Sequence, residues 1–140
     1  MTSTSTGAVS YVYKPTAGND FQWRYSSGNT TLMGSGSSTV FTGVRTAVTA
    51  GISRTTAPLG TTLTISGSVS PTHAGQVVYL QRYVGAGKWA NVTSAKLSST
   101  SVYSFHPKPT TRATWTYRVV KPADTDHATG VSPSRSVKVT

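Results

Sequence analysis

Residues 105–120 read FHPKPTTRATWTYRVV. In the second half of this stretch Trp115, Tyr117 and Val119 alternate with Thr116, Arg118 and Val120. Side chains two apart share one face of an extended strand, so three bulky apolar groups line a single side. A strand of this pattern lies across a core, and it sets the reading of its neighbours.

Upstream, VYSF at 102–105 aligns Tyr103 with Phe105, and QVVYLQRY at 76–83 alternates Val78 and Leu80 against Val77, Tyr79 and Gln81. TTLTISGSV at 61–69 aligns Leu63, Ile65 and Val69; Val48, Ala50 and Ile52 make a first strand; WANVTSAKL at 89–97 offers Trp89, Val92 and Leu97 as inward residues. Downstream, VSPSRSVKVT closes the chain with Val131, Val137 and Val139. The turn segments APLG, PTHAG and GAGK separate these runs at intervals of about eight to twelve residues. No stretch repeats apolar residues at helical spacing. The pattern predicts an all-β fold, an immunoglobulin-like antiparallel β-sandwich of about seven strands over residues 46–140. Its predicted core holds Ile65, Val78, Leu80, Phe105, Trp115 and Tyr117.

The sequence also repeats itself. YVYKPTAGNDFQWRY at 11–25 resembles FHPKPTTRATWTYRV at 105–119, and aligning Lys14-Pro15-Thr16 with Lys108-Pro109-Thr110 sets Phe21 on Trp115, Trp23 on Tyr117 and Arg24 on Arg118. The offset is one immunoglobulin-like repeat. Residues 1–45 therefore read as the last strands of a preceding, incomplete copy, with SSGNTTLMGSGSSTVFTGVR as its final hairpin after a one-residue shift. An aromatic face on so few strands cannot be buried alone, so Phe21 and Trp23 are expected to form an assembly face. Residues 9–45 would meet a neighbouring repeat or a second copy of the chain.

Composition narrows the chemistry. The 140 residues include no cysteine, which excludes disulfides, thiolate metal sites and cysteine nucleophiles. About a third are Ser or Thr, favouring strands and turns. Asp20, Asp124 and Asp126 are the only carboxylate side chains, too few for most acid–base designs. The net charge of +10 is spread over single Lys and Arg residues without a basic run. Such a surface attracts anionic polymers, a cell wall or an acidic polysaccharide, without building a specific nucleic-acid site. No apolar stretch reaches the ~20 residues that cross a bilayer as a helix, and the opening MTSTSTGAVS lacks the apolar core of a signal peptide.

SPTHAG before a strand, VYLQR within it and TYRVVKPADTDHA at a strand-to-hairpin corner together resemble the immunoglobulin-like repeats of actinobacterial, streptomycete-type secreted proteins. The resemblance spans nearly all of 46–140 and extends to 9–45. It implies an extracellular, often tandem sandwich with no catalysis and no cofactor. Antibody-type domains carry Asp-x-Ala-x-Tyr-x-Cys into the strand that here reads ATWTYRVV, but Thr111, Ala113, Trp115 and Tyr117 take those places, so Tyr117 stands for the cysteine and Trp115 sits where a corner tyrosine would bond back to the main chain. Aromatic burial must close the sheets, so Trp115→Ala is expected to cost about 3–5 kcal/mol.

Candidate sites are few. Asp124-Thr125-Asp126-His127 is the only acidic cluster and reads as a turn that offsets Lys121, not as a metal site. His73, His106 and His127 lie far apart beside turn residues and read as surface histidines. There is no Gly-x-Ser-x-Gly elbow, and GSGSS at 34–38 lacks the lysine of a phosphate loop. No catalytic, cofactor or metal residue is assigned. Tyr79, Tyr83 and Trp89 are the candidate interaction surface: coplanar and outward, they would stack on sugar rings. The expected function is a non-enzymatic extracellular module acting as spacer, adhesion or assembly unit. A wall-polymer-binding module of a secreted hydrolase and a phage virion surface module are the alternatives.

Overall fold

The computed structural model describes residues 6–26 and 33–140 and contains only strands and loops among them. The strands are β1 (Asn19–Phe21), β2 (Arg24–Tyr25), β3 (Ser35–Gly36), β4 (Val40–Thr42), β5 (Ala47–Val48), β6 (Gly51–Ile52), β7 (Thr56–Ala57), β8 (Ile65–Ser70), β9 (Val77–Gly85), β10 (Lys88–Lys96), β11 (Val102–Phe105), β12 (Thr114–Lys121), β13 (Gly130–Val131) and β14 (Arg135–Val139). The larger sheet runs β10–β9–β12–β14–β7, with β13 also on β12; the smaller runs β11–β8–β5, with β6 also on β8. Every pairing is antiparallel except β14 with β7.

One apolar cluster joins the two sheets. Val48, Leu63, Ile65, Val69, Tyr103 and Phe105 come from the smaller sheet and its flanks; Val78, Leu80, Tyr117, Val119 and Val137 come from the larger. All of them are buried. Removing such a side chain from water contributes roughly 1.5–3 kcal/mol, the main favourable term available to a chain with no crosslink. Trp115 sits at the rim instead, half-buried against this cluster. Its indole N–H donates to the Thr111 carbonyl four residues upstream at 3.0 Å, and the Arg82 guanidinium covers its ring at 4.5 Å.

The small sheet depends on one close approach. A Cβ added at Gly67 would stand 2.0 Å from the Thr49 carbonyl oxygen and 2.7 Å from the Tyr103 hydroxyl. Only glycine lets Tyr103 donate its hydroxyl to that carbonyl across the strand. Burial pushes the Tyr103 phenol up to about 12.

Several expectations are corrected. Residues 46–140 hold ten strands where about seven are expected, because the first edge is divided among β5, β6 and β7, and the last is split by Ser132–Ser134. Val92 is exposed, since the β9–β10 register shifts between Asn91 and Thr93 and a bulge turns its side chain outward. Val131 is exposed as well. Trp89 pairs with Tyr83 and so shares the outer face with it.

The N-terminal segment forms a second, interrupted hairpin: β1 pairs with β4 and β2 with β3. Residues 27–32, part of the segment aligned with the closing hairpin, lie outside the described residues. Its layout repeats that of β12, β13 and β14, with β3 and β4 starting at Ser35 and Val40 and β13 and β14 at Gly130 and Arg135, 95 residues later in each case. The hydrogen bonds repeat too. Ser37 donates its N–H to the Trp23 carbonyl at 2.9 Å, accepts the Trp23 N–H on its hydroxyl at 3.0 Å, and donates that hydroxyl to Ser38 O at 2.9 Å. Ser132 does the same with Val119 at 2.9 Å twice, and with Pro133 O at 3.1 Å. These bonds and the pairing Phe21–Val40, which repeats Tyr117–Arg135, match Trp23 to Val119 and Phe21 to Tyr117, two residues away from the sequence alignment that set Trp23 on Tyr117 and Phe21 on Trp115. The environments differ: Val119 is 0% and Tyr117 2% exposed, whereas Trp23 is 47% and Phe21 36% exposed.

Two measurements check this packing. Tyr117→Ala should cost about 3–5 kcal/mol by urea unfolding, and Trp115→Ala only about 2, because the indole is partly exposed at the rim of the core; equal costs would contradict the assignment of Trp115 to the rim. The raised Tyr103 phenol makes stability complete below pH 10 and lost as pH rises from 10.0 towards about 12, since the unfolded chain releases its proton first. Tyr103→Phe should flatten that alkaline slope.

Candidate functional site

Inward positions on β12 run Tyr117, Val119, Lys121, so the alternation that fills the core carries a lysine inside at its far end. Lys121 is 1% exposed, and a buried ammonium requires an anion. The turn after β12 provides one: Nζ donates to Asp124 Oδ2 at 2.5 Å. Asp124 Oδ1 accepts the backbone N–H groups of Asp126 at 3.0 Å and His127 at 2.8 Å, and the Asp124 N–H donates to the His127 carbonyl at 2.9 Å. The Lys121 ammonium holds the Asp124 carboxyl well below the usual carboxylate range; partial burial opposes it, while the two amides and the Gln76 side chain reinforce it.

A second loop reaches the same carboxylate. Antiparallel pairing of Val120 with Tyr79 sets the end of β12 beside the start of β9, so the loop before β9 abuts the loop after β12. His73 in that loop is buried, its backbone N–H bonded to Ser101 Oγ at 2.6 Å. Its Nε2 lies 3.1 Å from Asp124 Oδ2, and its Nδ1 2.6 Å from the Pro71 carbonyl. The His127 ring meets the His73 ring edge-on at 4.8 Å between centroids. His127 Nε2 contacts the Thr16 carbonyl at 2.8 Å, while its Nδ1 lies 3.7 Å from Asp124 Oδ1, buried and without a hydrogen-bond partner.

This cluster is also where the N-terminal segment joins the rest of the chain. The Gly18 N–H donates to Asp126 O at 2.6 Å, Ala128 N–H to Val44 O at 2.8 Å, and Arg45 bridges Ala128 in parallel.

The reading of His73 and His127 as surface residues is therefore overturned. Residues 54 positions apart meet because the connection that carries the chain from β8 to β9 and the turn after β12 lie at one end of the larger sheet, and Ser101 holds the first of them. His106 alone of the three histidines is exposed, between Thr64 Oγ1 and Ser104 Oγ. The signal for the cluster lay in PTHAG and ADTDHA flanking β9 and β12, strands that pair.

The outer face of the larger sheet holds the candidate aromatic surface. Tyr83 and Trp89 meet at 63° with centroids 5.4 Å apart, so they form an edge and not a plane. The Arg118 guanidinium lies over the Trp89 ring at 4.2 Å and donates to Gln81 Oε1 at 2.9 Å; Gln81 in turn donates to Asn91 at 2.9 Å. Tyr83 is spent on the turn, its hydroxyl accepting the Gly87 N–H at 3.1 Å, and Tyr79 is half-buried. In the N-terminal segment Phe21 and Trp23 share a groove with Tyr11, Tyr13 and Val40.

No protein-family profile matches the chain, and neither a curated protein nor a solved structure shows significant similarity to it.

Asp124→Ala leaves the Lys121 ammonium buried and unpaired and removes the acceptor of two turn amides. It should destabilise the chain by about 3 kcal/mol, read from the urea midpoint. The lowered carboxyl makes this contribution complete at neutral pH and fading as pH falls below about 4; Asp124→Asn should lose that part of the acid sensitivity.

Proposed function

We propose that this chain is a non-catalytic, extracellular structural module: an immunoglobulin-like sandwich at 46–140 preceded by the closing hairpin of a like unit, working as a spacer and assembly element of a tandem array. The observation that carries the reading is the duplicated hairpin. The Ser37 and Ser132 bond patterns match, yet the aromatic face covered in one copy is uncovered in the other. The division of the first edge between sheets, with β7 parallel to β14, favours an immunoglobulin-like sandwich over a simple meander.

Exposed Tyr11, Tyr13, Phe21, Trp23 and Val40 give residues 9–45 a face suited to the sheet of a neighbouring repeat or of a second copy. The positive surface favours an anionic wall polymer as the setting of such an array. The sugar-platform alternative loses support because Arg118 already occupies the Trp89 face. Catalysis is the least supported class: of three carboxylates, Asp124 is committed to Lys121 and the turn.

Sedimentation velocity over a wide concentration range should show the chain self-associating, and Trp23→Ser with Phe21→Ser should abolish it without changing the unfolding midpoint of the sandwich. A chain that stays monomeric at the highest concentration while the β1–β4 pairing persists by NMR would refute assembly through this face.

A further inference from the structure

The two buried histidines each use one ring nitrogen on a backbone carbonyl. A carbonyl only accepts, so Pro71 O places a proton on His73 Nδ1, and Thr16 O places one on His127 Nε2. In the neutral rings the remaining lone pairs, on His73 Nε2 and His127 Nδ1, both face the Asp124 carboxylate. Lone pairs directed at an anion repel it unless a proton or a metal cation stands between them; at 3.1 Å a proton on His73 Nε2 satisfies that ring, and His127 Nδ1 is the atom left over. A proton on His127 Nδ1 does not resolve this, because 3.7 Å is too long for a hydrogen bond and no other acceptor lies within reach among the described residues. The Nδ1 atom is itself shielded from bulk solvent.

We propose that His73 Nε2, His127 Nδ1 and the Asp124 carboxylate form a binding site for one first-row divalent metal ion of the Zn²⁺ type, at the junction between the N-terminal segment and the sandwich. The three donor atoms lie within 4.8 Å of one another. Metal–ligand bonds of ~2.0–2.2 Å at tetrahedral angles put donors about 3.5 Å apart, so the widest pair closes by roughly 1.3 Å, within reach of side-chain rotation. Two imidazoles and one carboxylate select Zn²⁺, Co²⁺ or Ni²⁺ over Ca²⁺ and Mg²⁺, which prefer all-oxygen shells. The outer contacts fit as well: metal-bound histidines characteristically donate their second N–H to a carbonyl, as both rings do here.

Lys121 is the competitor. Its ammonium already holds Asp124 Oδ2, and a metal ion must share or displace it. The site therefore weighs a permanent cation against an exchangeable one. Because His127 also holds Thr16, occupancy would fix the entry of the N-terminal segment onto the loop at 124–128. The site stands apart from the module reading, since its donors lie in one chain.

Titration of the untagged full chain with CoCl₂ should give the visible absorption of a tetrahedral or five-coordinate Co²⁺ site, saturating at one equivalent and displaced by ZnCl₂. His127→Gln and His73→Gln should weaken binding by more than about a hundredfold, His106→Ala should leave it unchanged, and Lys121→Met should tighten it by removing the competing charge. If a histidine variant fails to fold, ¹⁵N spectra of the wild-type histidines decide between the outcomes: ZnCl₂ must shift His73 and His127 and leave His106 in place. Absence of a saturable Co²⁺ signal, an affinity insensitive to both histidines, or Zn²⁺ shifts confined to His106 would each overturn the site.

Discussion

The desolvation of one row of side chains on β12 governs most of this molecule. Tyr117 and Val119 lie beside Val78 and Leu80 on the inner face of the larger sheet, against the residues of the smaller one, and no disulfide assists them. Because strand side chains alternate strictly, the row that buries Tyr117 also takes Lys121 inside. From that one consequence the rest follows. The ammonium needs Asp124, Asp124 folds the turn by accepting two amides, and the turn delivers His127 beside His73. A polar cluster of this kind is a by-product of core geometry before it is anything else.

The closing hairpin occurs twice under different conditions, and the comparison separates local from tertiary causes. The serine contacts at 37 and 132 arise in both copies, so they belong to the local chain: a hydroxyl that caps a strand interruption needs no surrounding core. Burial does not travel with them. Tyr117 and Val119 are covered by strands that Phe21 and Trp23 lack, which is why the N-terminal hairpin presents an aromatic face to solvent. The junction between the N-terminal hairpin and the rest of the chain runs through Thr16, Gly18 and Val44 on one side and Asp126, His127 and Ala128 on the other.

Alternation made the strands from β8 to β12 and their buried residues legible, because a half-buried sheet prints its period directly on the sequence. It misplaced Val92, where a bulge breaks the period, and Val131, which lies on the short β13 just ahead of the Ser132–Ser134 break. Trp115 reads like a core residue by period alone; its rim position depends on Arg82, which arrives from a different strand. The histidine cluster was harder for the same reason. Its members sit in loops, where no period operates, and only the β9–β12 pairing brings those loops together.

Native-state hydrogen exchange followed residue by residue is the most direct test of a sandwich held by packing alone. The amides of Leu80 and Val119 should exchange only through global unfolding, with those of Phe21 and Arg24 in the N-terminal hairpin exchanging much earlier in dilute solution. Equal protection of the two groups in the monomer, or early exchange at Leu80 and Val119, would contradict it.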